Sequence, residues 1–163
     1  MDIYREIEKF QQVEEYYYVD YIPDKCCGDR FHEFEEFFWK HYTKEYVHKI
    51  TKIVLTMLAY SEAHIVMTEF PEEYIGEYRY ICEEERDIAS ESFEFISKVI
   101  EFVLTKEVSS VQVLLGEKPE MLVSIYGKNS IEIISESDNK LNLVRQLVER
   151  EGLYFKRYVE SDE

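Results

Sequence analysis

The sequence predicts a single α+β domain, in which N-terminal helices and a C-terminal antiparallel β-meander pack on a buried helix. Apolar residues recur at helical spacing near the N-terminus and again over residues 90–106. Short apolar runs separated by glycine-containing turns follow over residues 111–134, which is typical of a meander. No proline-, glycine- or serine-rich linker divides the 163 residues, a length that suits one continuous core. Residues 1–163 are therefore predicted to form one domain.

The N-terminal segment predicts an amphipathic helix over residues 2–15. Its apolar stripe is Ile3, Ile7, Phe10 and Tyr17, and charged residues lie off that stripe. The tyrosine-rich run at 16–22 has the character of an extended strand, which proline and glycine then end as a turn.

A second helix is predicted to begin at Asp29, because aspartate is a favoured N-cap residue. It places Phe31, Phe34 and Phe38 on one face. Residues 44–60 are ambiguous, since Val47, Ile50 and neighbouring apolar residues fit a helix, while their β-branched side chains also suit a buried strand. We favour a helix there.

The central part predicts a strand over residues 63–70 that ends at Pro71, and a short second strand over 78–83 that pairs with it as a hairpin. Residues 90–106 form the clearest helix, capped by Ser90 or Ser92. Its apolar residues, Phe93 among them, cover so much of its circumference that it should lie at the centre of the core.

The last third predicts three strands at 111–115, 122–126 and 131–134, joined by turns that contain Gly116 and Gly127. Ser137 or Asp138 then caps a helix that stops at Gly152. A final strand is predicted over residues 153–159, and the last four residues read as a solvated tail.

The formal net charge of −16 and the pI near 4.7 limit the classes of partner. Such a charge repels nucleic-acid phosphates and anionic lipid, and it attracts basic proteins over a Debye length of about 8 Å at physiological salt. The simpler interpretation, that the charge only keeps the protein soluble, stays open.

The sequence also predicts a cytoplasmic, reduced protein that does not enter a membrane. The N-terminus has no apolar core of a signal peptide, and the apolar run at 53–60 is far shorter than the roughly 20 residues of a membrane span. Cys26, Cys27 and Cys82 do not make an even disulfide framework. The oligomeric state cannot be predicted.

No cofactor, metal or catalytic residue is predicted. The adjacent cysteines near His32 lack the two-to-four-residue spacing of zinc ligands, and His41 and His48 are two helical turns apart. No nucleophile elbow and no phosphate-binding glycine loop occurs. A carboxylate pair could act as acid and base, but it cannot be chosen among 35 acidic residues.

The predicted site is instead a partner-binding segment in which acids and tyrosines alternate, with little local counter-charge. Tyrosine is enriched in interface cores, and a field of one sign steers a partner of the opposite sign. The predicted partner-binding residues are Glu72, Glu73, Tyr74, Glu77, Tyr78, Tyr80, Glu83, Glu84, Glu85 and Asp87.

A second acid–tyrosine set occupies residues 14–21 and comprises Glu14, Glu15, Tyr16, Tyr17, Tyr18, Asp20 and Tyr21. Both sets could also be ordinary solvated faces above half-buried tyrosines.

In size, acidity and these two sets, the chain resembles the small immunity proteins that bacteria pair with polymorphic or contact-dependent toxins. The resemblance implies a non-enzymatic inhibitor that binds a toxin domain, often a basic nuclease, and covers its active site. Two alternatives are a phage-type nucleic-acid mimic that inhibits a DNA-binding enzyme, and a small enzyme with an unrecognised carboxylate site.

Overall fold

The computed structural model of the chain describes residues 1–26, 28–68, 86–107, 109–127 and 130–159. Over these residues it has four helices and six strands, an α+β fold as predicted. The helices are α1 (Ile3–Gln11), α2 (Phe31–Tyr60), α3 (Phe93–Lys106) and α4 (Asp138–Arg150). The strands are β1 (Glu15–Asp20), β2 (Ala63–Thr68), β3 (Ser110–Leu115), β4 (Met121–Tyr126), β5 (Ser130–Ser135) and β6 (Tyr154–Val159).

All six strands join one antiparallel sheet in the order β2-β3-β4-β5-β1-β6. The predicted meander β3-β4-β5 forms its middle, with Val123 opposite both Val113 and Ile133. Strands from the two ends of the chain, β1 and β6, extend the sheet on one side. This placement depends on pairing between residues more than a hundred positions apart, which local patterns do not reveal.

The two faces of the sheet are covered differently. Because side chains alternate along a strand, Ile65, Val123 and Ile133 point to one face, where they pack with apolar residues of α2, α3 and α4. The shorter α1 covers part of the other face, where Ile7 and Phe10 pack on Leu122 and its neighbours.

Helix α3 lies at the centre of the core, as its apolar circumference predicts. Ile96, Ile100 and Val103 have no exposed surface, and the hydroxyl of Ser92 caps the helix by accepting a hydrogen bond from the Phe95 amide at 3.2 Å. Phe93 was predicted to belong to the buried surface of this helix, but 49% of its surface is exposed. It is the first helical residue and precedes the stripe that faces the sheet.

Two helix boundaries also differ from the prediction. Helix α1 ends at Gln11, and Tyr17 belongs to β1 rather than to the helical stripe. Helix α2 has Arg30 at its N-cap position, without a side-chain cap. Asp29 lies in the preceding turn, which the hydrogen bond from the Phe31 amide to the Gly28 carbonyl closes at 3.1 Å.

Residues 44–60 are helical, as favoured, and they continue the second predicted helix without a break, so that α2 has 30 residues. Such a helix is about 45 Å long, whereas α3, the helix on which it chiefly packs, has 14 residues and is about 21 Å long. Its buried residues accordingly run only from Tyr46 to Met57. The N-terminal half of α2, which contributes no buried residue, projects beyond the buried core.

The chain passes very close to itself where β4 ends. A Cβ atom added at Gly127 would lie 2.5 Å from the carbonyl carbon of Glu107 and 2.7 Å from its oxygen. Because both are backbone atoms, a larger residue forces the two segments apart, and overpacking of this kind costs about 1–3 kcal/mol.

We therefore expect Gly127→Ala to lower the free energy of unfolding by about 1–3 kcal/mol in urea titrations. Gly28→Ala is the matched control, because a Cβ atom there meets no atom within 4 Å. Equal stability of the two variants would contradict the close approach.

Candidate protein-binding surface

The predicted partner-binding residues lie outside the described residues, with one exception. The residues concerned are Glu72, Glu73, Tyr74, Glu77, Tyr78, Tyr80, Glu83, Glu84 and Glu85, together with the strand predicted over 78–83. Their role stays a prediction. Asp87 is the member of the set that the structure describes.

Asp87 is engaged by its own chain. Its Oδ1 accepts hydrogen bonds from the backbone amides of Ile65 at 2.9 Å and Ala89 at 3.0 Å, and its Oδ2 lies 2.6 Å from Nδ1 of His64. Burial alone would raise the pKa of Asp87, but these hydrogen bonds outweigh it and hold the pKa below its usual value. The carboxylate therefore ties the segment before α3 to β2.

The second acid–tyrosine set comprises Glu14, just before β1, five residues of β1, and Tyr21, just after it. Both of its carboxylates on β1 have basic partners on β6. The guanidinium group of Arg157 donates bidentate hydrogen bonds to the carboxylate of Glu15 at 2.6 and 2.7 Å, which lower the pKa of Glu15. Nζ of Lys156 lies 2.8 Å from Oδ2 of Asp20. The expected surplus of unpaired charge is thus reduced at Glu15 and Asp20, by partners more than a hundred residues away.

The tyrosines of β1 divide between the two faces of the sheet. Tyr17 stacks on Phe155 on the face that carries the main core, with ring centroids 5.1 Å apart. On the opposite face, Tyr16 stacks on Tyr158 of β6 at 4.8 Å and meets the edge of Tyr18 at 6.5 Å. A small aromatic surface results on that side of β1 and β6.

A larger aromatic surface lies on the projecting half of α2. We call it the aromatic ridge, and its exposed members are Phe34, Phe37 and Tyr42, with 47%, 53% and 45% of their surfaces accessible. The rings are continuous, since Phe38 lies 6.2 Å from Phe34 and 5.6 Å from Tyr42.

Tyr21, which follows β1, holds the ridge against the sheet. Its ring stacks on Phe38 at 4.2 Å, and its hydroxyl donates to Oε1 of Glu35 at 3.3 Å. Burial, with the nearby negative charge of Glu35, raises the pKa of Tyr21 to about 12, so the hydroxyl stays a donor at neutral pH.

The ridge was not predicted from the sequence, although a signal for it was present. Phe31, Phe34 and Phe38 were predicted to share one helix face, while Phe37, Trp39 and Tyr42 were assigned to no face. Aromatic residues at so many consecutive helical positions cannot all face one core. Some of them had to stay exposed.

A cleft of about 270 Å³ lies beside the ridge, where β1 leaves β5. The ladder between these strands includes only Tyr17 opposite Ile133 and Tyr18 opposite Glu132, so the strands separate beyond that point. Tyrosine rings, carboxylates and the indole of Trp39 line the cleft. Its lining residues are Tyr16, Tyr18, Val19, Asp20, Tyr21, Glu35, Trp39, Ser130, Ile131, Glu132 and Tyr158.

Glu132 differs from the other carboxylates of this cleft. Asp20 is paired with Lys156, and Glu35 accepts the hydrogen bond of Tyr21. Glu132 is half-buried, and among the described residues it has neither a hydrogen-bond donor nor a cation. Burial raises the pKa of Glu132.

Within the described ranges, no group of three or more His, Cys, Asp or Glu side chains could hold a metal ion. Cys26 is exposed, and His32 points to Glu35 with 4.0 Å between Nδ1 and Oε2. In the same ranges, no helix has the length and apolar character that crossing a membrane requires.

In comparisons with known proteins, the chain matches no protein-family model, no curated protein and no solved structure.

Proposed function

We propose that this protein binds a basic protein domain through the aromatic ridge and the neighbouring cleft, and that it acts as an immunity protein, occluding the active site of a toxin. The observation that carries the proposal is the set of half-exposed aromatic side chains on the projecting half of α2. Isolated exposed aromatic residues are ordinary, but a continuous row of them on one helix face is typical of a binding surface.

The ridge has the size of an interface core. A fully buried aromatic side chain covers about 150–250 Å², so three half-exposed rings offer roughly 200–400 Å². A standard interface buries about 800 Å² on each partner. The ridge thus supplies between a quarter and a half of that area, and the tyrosines and charged rim of the cleft supply more.

The charge of the chain favours a basic partner. A net charge of −16 accelerates encounter with a positively charged domain and opposes binding to nucleic acid. The nucleic-acid mimic is less well supported, because such a mimic needs a row of unpaired carboxylates. Glu15, Asp20 and Glu33 instead each form an ion pair with a lysine or arginine side chain.

The proposal is tested by affinity capture followed by a growth assay. We expect the immobilised chain to capture a basic protein from its native cell at about 0.1 M salt and to lose it at about 1 M, where the Debye length falls from about 10 Å to about 3 Å. Expressed alone in another host, the captured protein should arrest growth, and co-expression of this chain should restore it.

A captured protein that is harmless when expressed alone contradicts the immunity function. So does one that stays toxic beside this chain.

A further inference from the structure

We infer that the cleft between β1 and β5 receives an arginine side chain of the basic partner, with its guanidinium group against the tyrosine rings and paired with Glu132. This inference rests on the proposed function, since it identifies the group of the partner that enters the site. Three features of the cleft support it, namely its charge, its aromatic walls and its size.

The charge of the lining selects a cation. Among the described residues that line the cleft, three are acids and none is a lysine, an arginine or a histidine. Lys156, which lies opposite Tyr18 on β6, directs its Nζ to Asp20 at 2.8 Å. Glu132 is therefore the carboxylate that remains for a ligand, since a partly buried carboxylate gains most from a charge-assisted hydrogen bond.

The walls of the cleft suit a planar cation. Glu132 lies directly opposite Tyr18 across the β5–β1 ladder. The rings of Tyr16 and Tyr18 meet at 61°, so that they form two sides of a corner next to this carboxylate. A guanidinium group within about 6 Å of a ring centroid gains a cation–π interaction, and it also binds a carboxylate through two parallel hydrogen bonds. An ammonium group lacks this planar match.

The size of the cleft suits a single side chain. Pockets for drug-sized ligands have volumes of about 300–1,000 Å³. The cleft, with about 270 Å³, lies just below that range. Its position beside the aromatic ridge would let one partner cover the ridge and insert an arginine in the cleft together.

The test uses small probes, so that it does not depend on finding the partner. N-acetyl-arginine amide is titrated into the wild-type chain, and N-acetyl-citrulline amide, which has the same shape without the charge, is the matched probe. We expect the arginine probe to shift the backbone NMR signals of Tyr18, Ser130 and Glu132 and to change the fluorescence of Trp39, the single tryptophan of the chain. The citrulline probe should bind at least about tenfold more weakly, because it forms no charge-assisted hydrogen bond.

Glu132→Gln should weaken binding of the arginine probe by about tenfold or more, because the substitution removes the negative charge while it keeps the shape of the side chain. Glu101→Gln makes the same change on the exposed surface of α3 and should have no effect. Equal binding of the two probes to the wild-type chain, or no shift at these residues, overturns the inference even if Glu132→Gln does not fold.

The two proposals fail separately. A toxin that the chain neutralises, combined with no preference for arginine over citrulline, overturns the assignment of the cleft and leaves the proposed function standing. A preference for arginine, combined with a captured protein that is not toxic, supports the cleft and contradicts the proposed function.

Discussion

Replacing Phe34 and Phe37 together by alanine is expected to weaken binding of the basic partner by about a hundredfold or more. Aromatic residues at interface hot spots cost about 2 kcal/mol or more each on truncation, and about 1.4 kcal/mol corresponds to a tenfold change in affinity. Both rings are about half exposed, so their loss leaves the buried core intact. The affinity is measured by calorimetry with the captured partner, and the thermal midpoint of the free variant should stay close to that of the wild type.

Phe93→Ala is the matched control. Phe93 is 49% exposed on α3, comparable to the two ridge residues, but it lies outside the ridge. We expect this variant to bind the partner with wild-type affinity.

Two outcomes would remove the ridge from the binding surface. One is an equal loss of affinity in Phe93→Ala and in the double variant. The other is a free chain that dimerises in analytical ultracentrifugation and becomes monomeric in the double variant, because the ridge would then be occupied by a second copy of the chain.

Replacing Asp87 by alanine is expected to lower the free energy of unfolding by about 2–4 kcal/mol. The change removes the acceptor of two backbone amides, and an unsatisfied buried donor costs about 1–3 kcal/mol. Ile65 has no exposed surface, so water cannot readily replace the acceptor at its amide. Asp87→Asn keeps one acceptor oxygen, so its free energy of unfolding should fall by less than that of Asp87→Ala. Both values are measured by urea unfolding at neutral pH.

The pH dependence has a definite sign. Because the folded chain holds the pKa of Asp87 below its unfolded value of about 3.9, the carboxylate stabilises the fold fully above that value. This contribution is lost as the pH falls through the lower, folded pKa. The stability difference between wild type and Asp87→Asn should therefore shrink on acidification in that range.

Asp24→Ala is the control for these measurements, since Asp24 is exposed in the loop that precedes α2. It should leave the free energy of unfolding at neutral pH unchanged. An Asp87→Ala variant that is as stable as the wild type would show that Asp87 does not stabilise the fold.

Local patterns were sufficient for much of the fold. The alternation over residues 111–134 predicted the meander, and the apolar circumference of residues 90–106 predicted the buried helix α3. Ser92 and Ser137 were each one of two predicted cap candidates, and both accept the hydrogen bonds expected of an N-cap. These features depend on residues within a few positions of one another, so periodicity and side-chain chemistry identify them.

Local patterns failed where distant residues decide the environment. Glu15 and Asp20 looked unpaired in sequence, and their partners Arg157 and Lys156 reach them only because β6 pairs with β1. The same reasoning predicted Asp87 as a partner-binding residue, which stays a prediction, but it did not predict the hydrogen bonds from Ile65 and Ala89 that give this carboxylate a structural role. Whether an acid is free for a partner is thus a property of the assembled sheet.

The aromatic ridge shows the same division. The composition and spacing of residues 31–42 predicted an aromatic-rich helix. Which of its rings remain uncovered follows from the tertiary structure, because α2 has 30 residues whereas the helices on which it chiefly packs, α3 and α4, have only 14 and 13. Helical periodicity is encoded in neighbouring residues, but the exposure of each ring depends on how far along α2 the other elements of the fold extend.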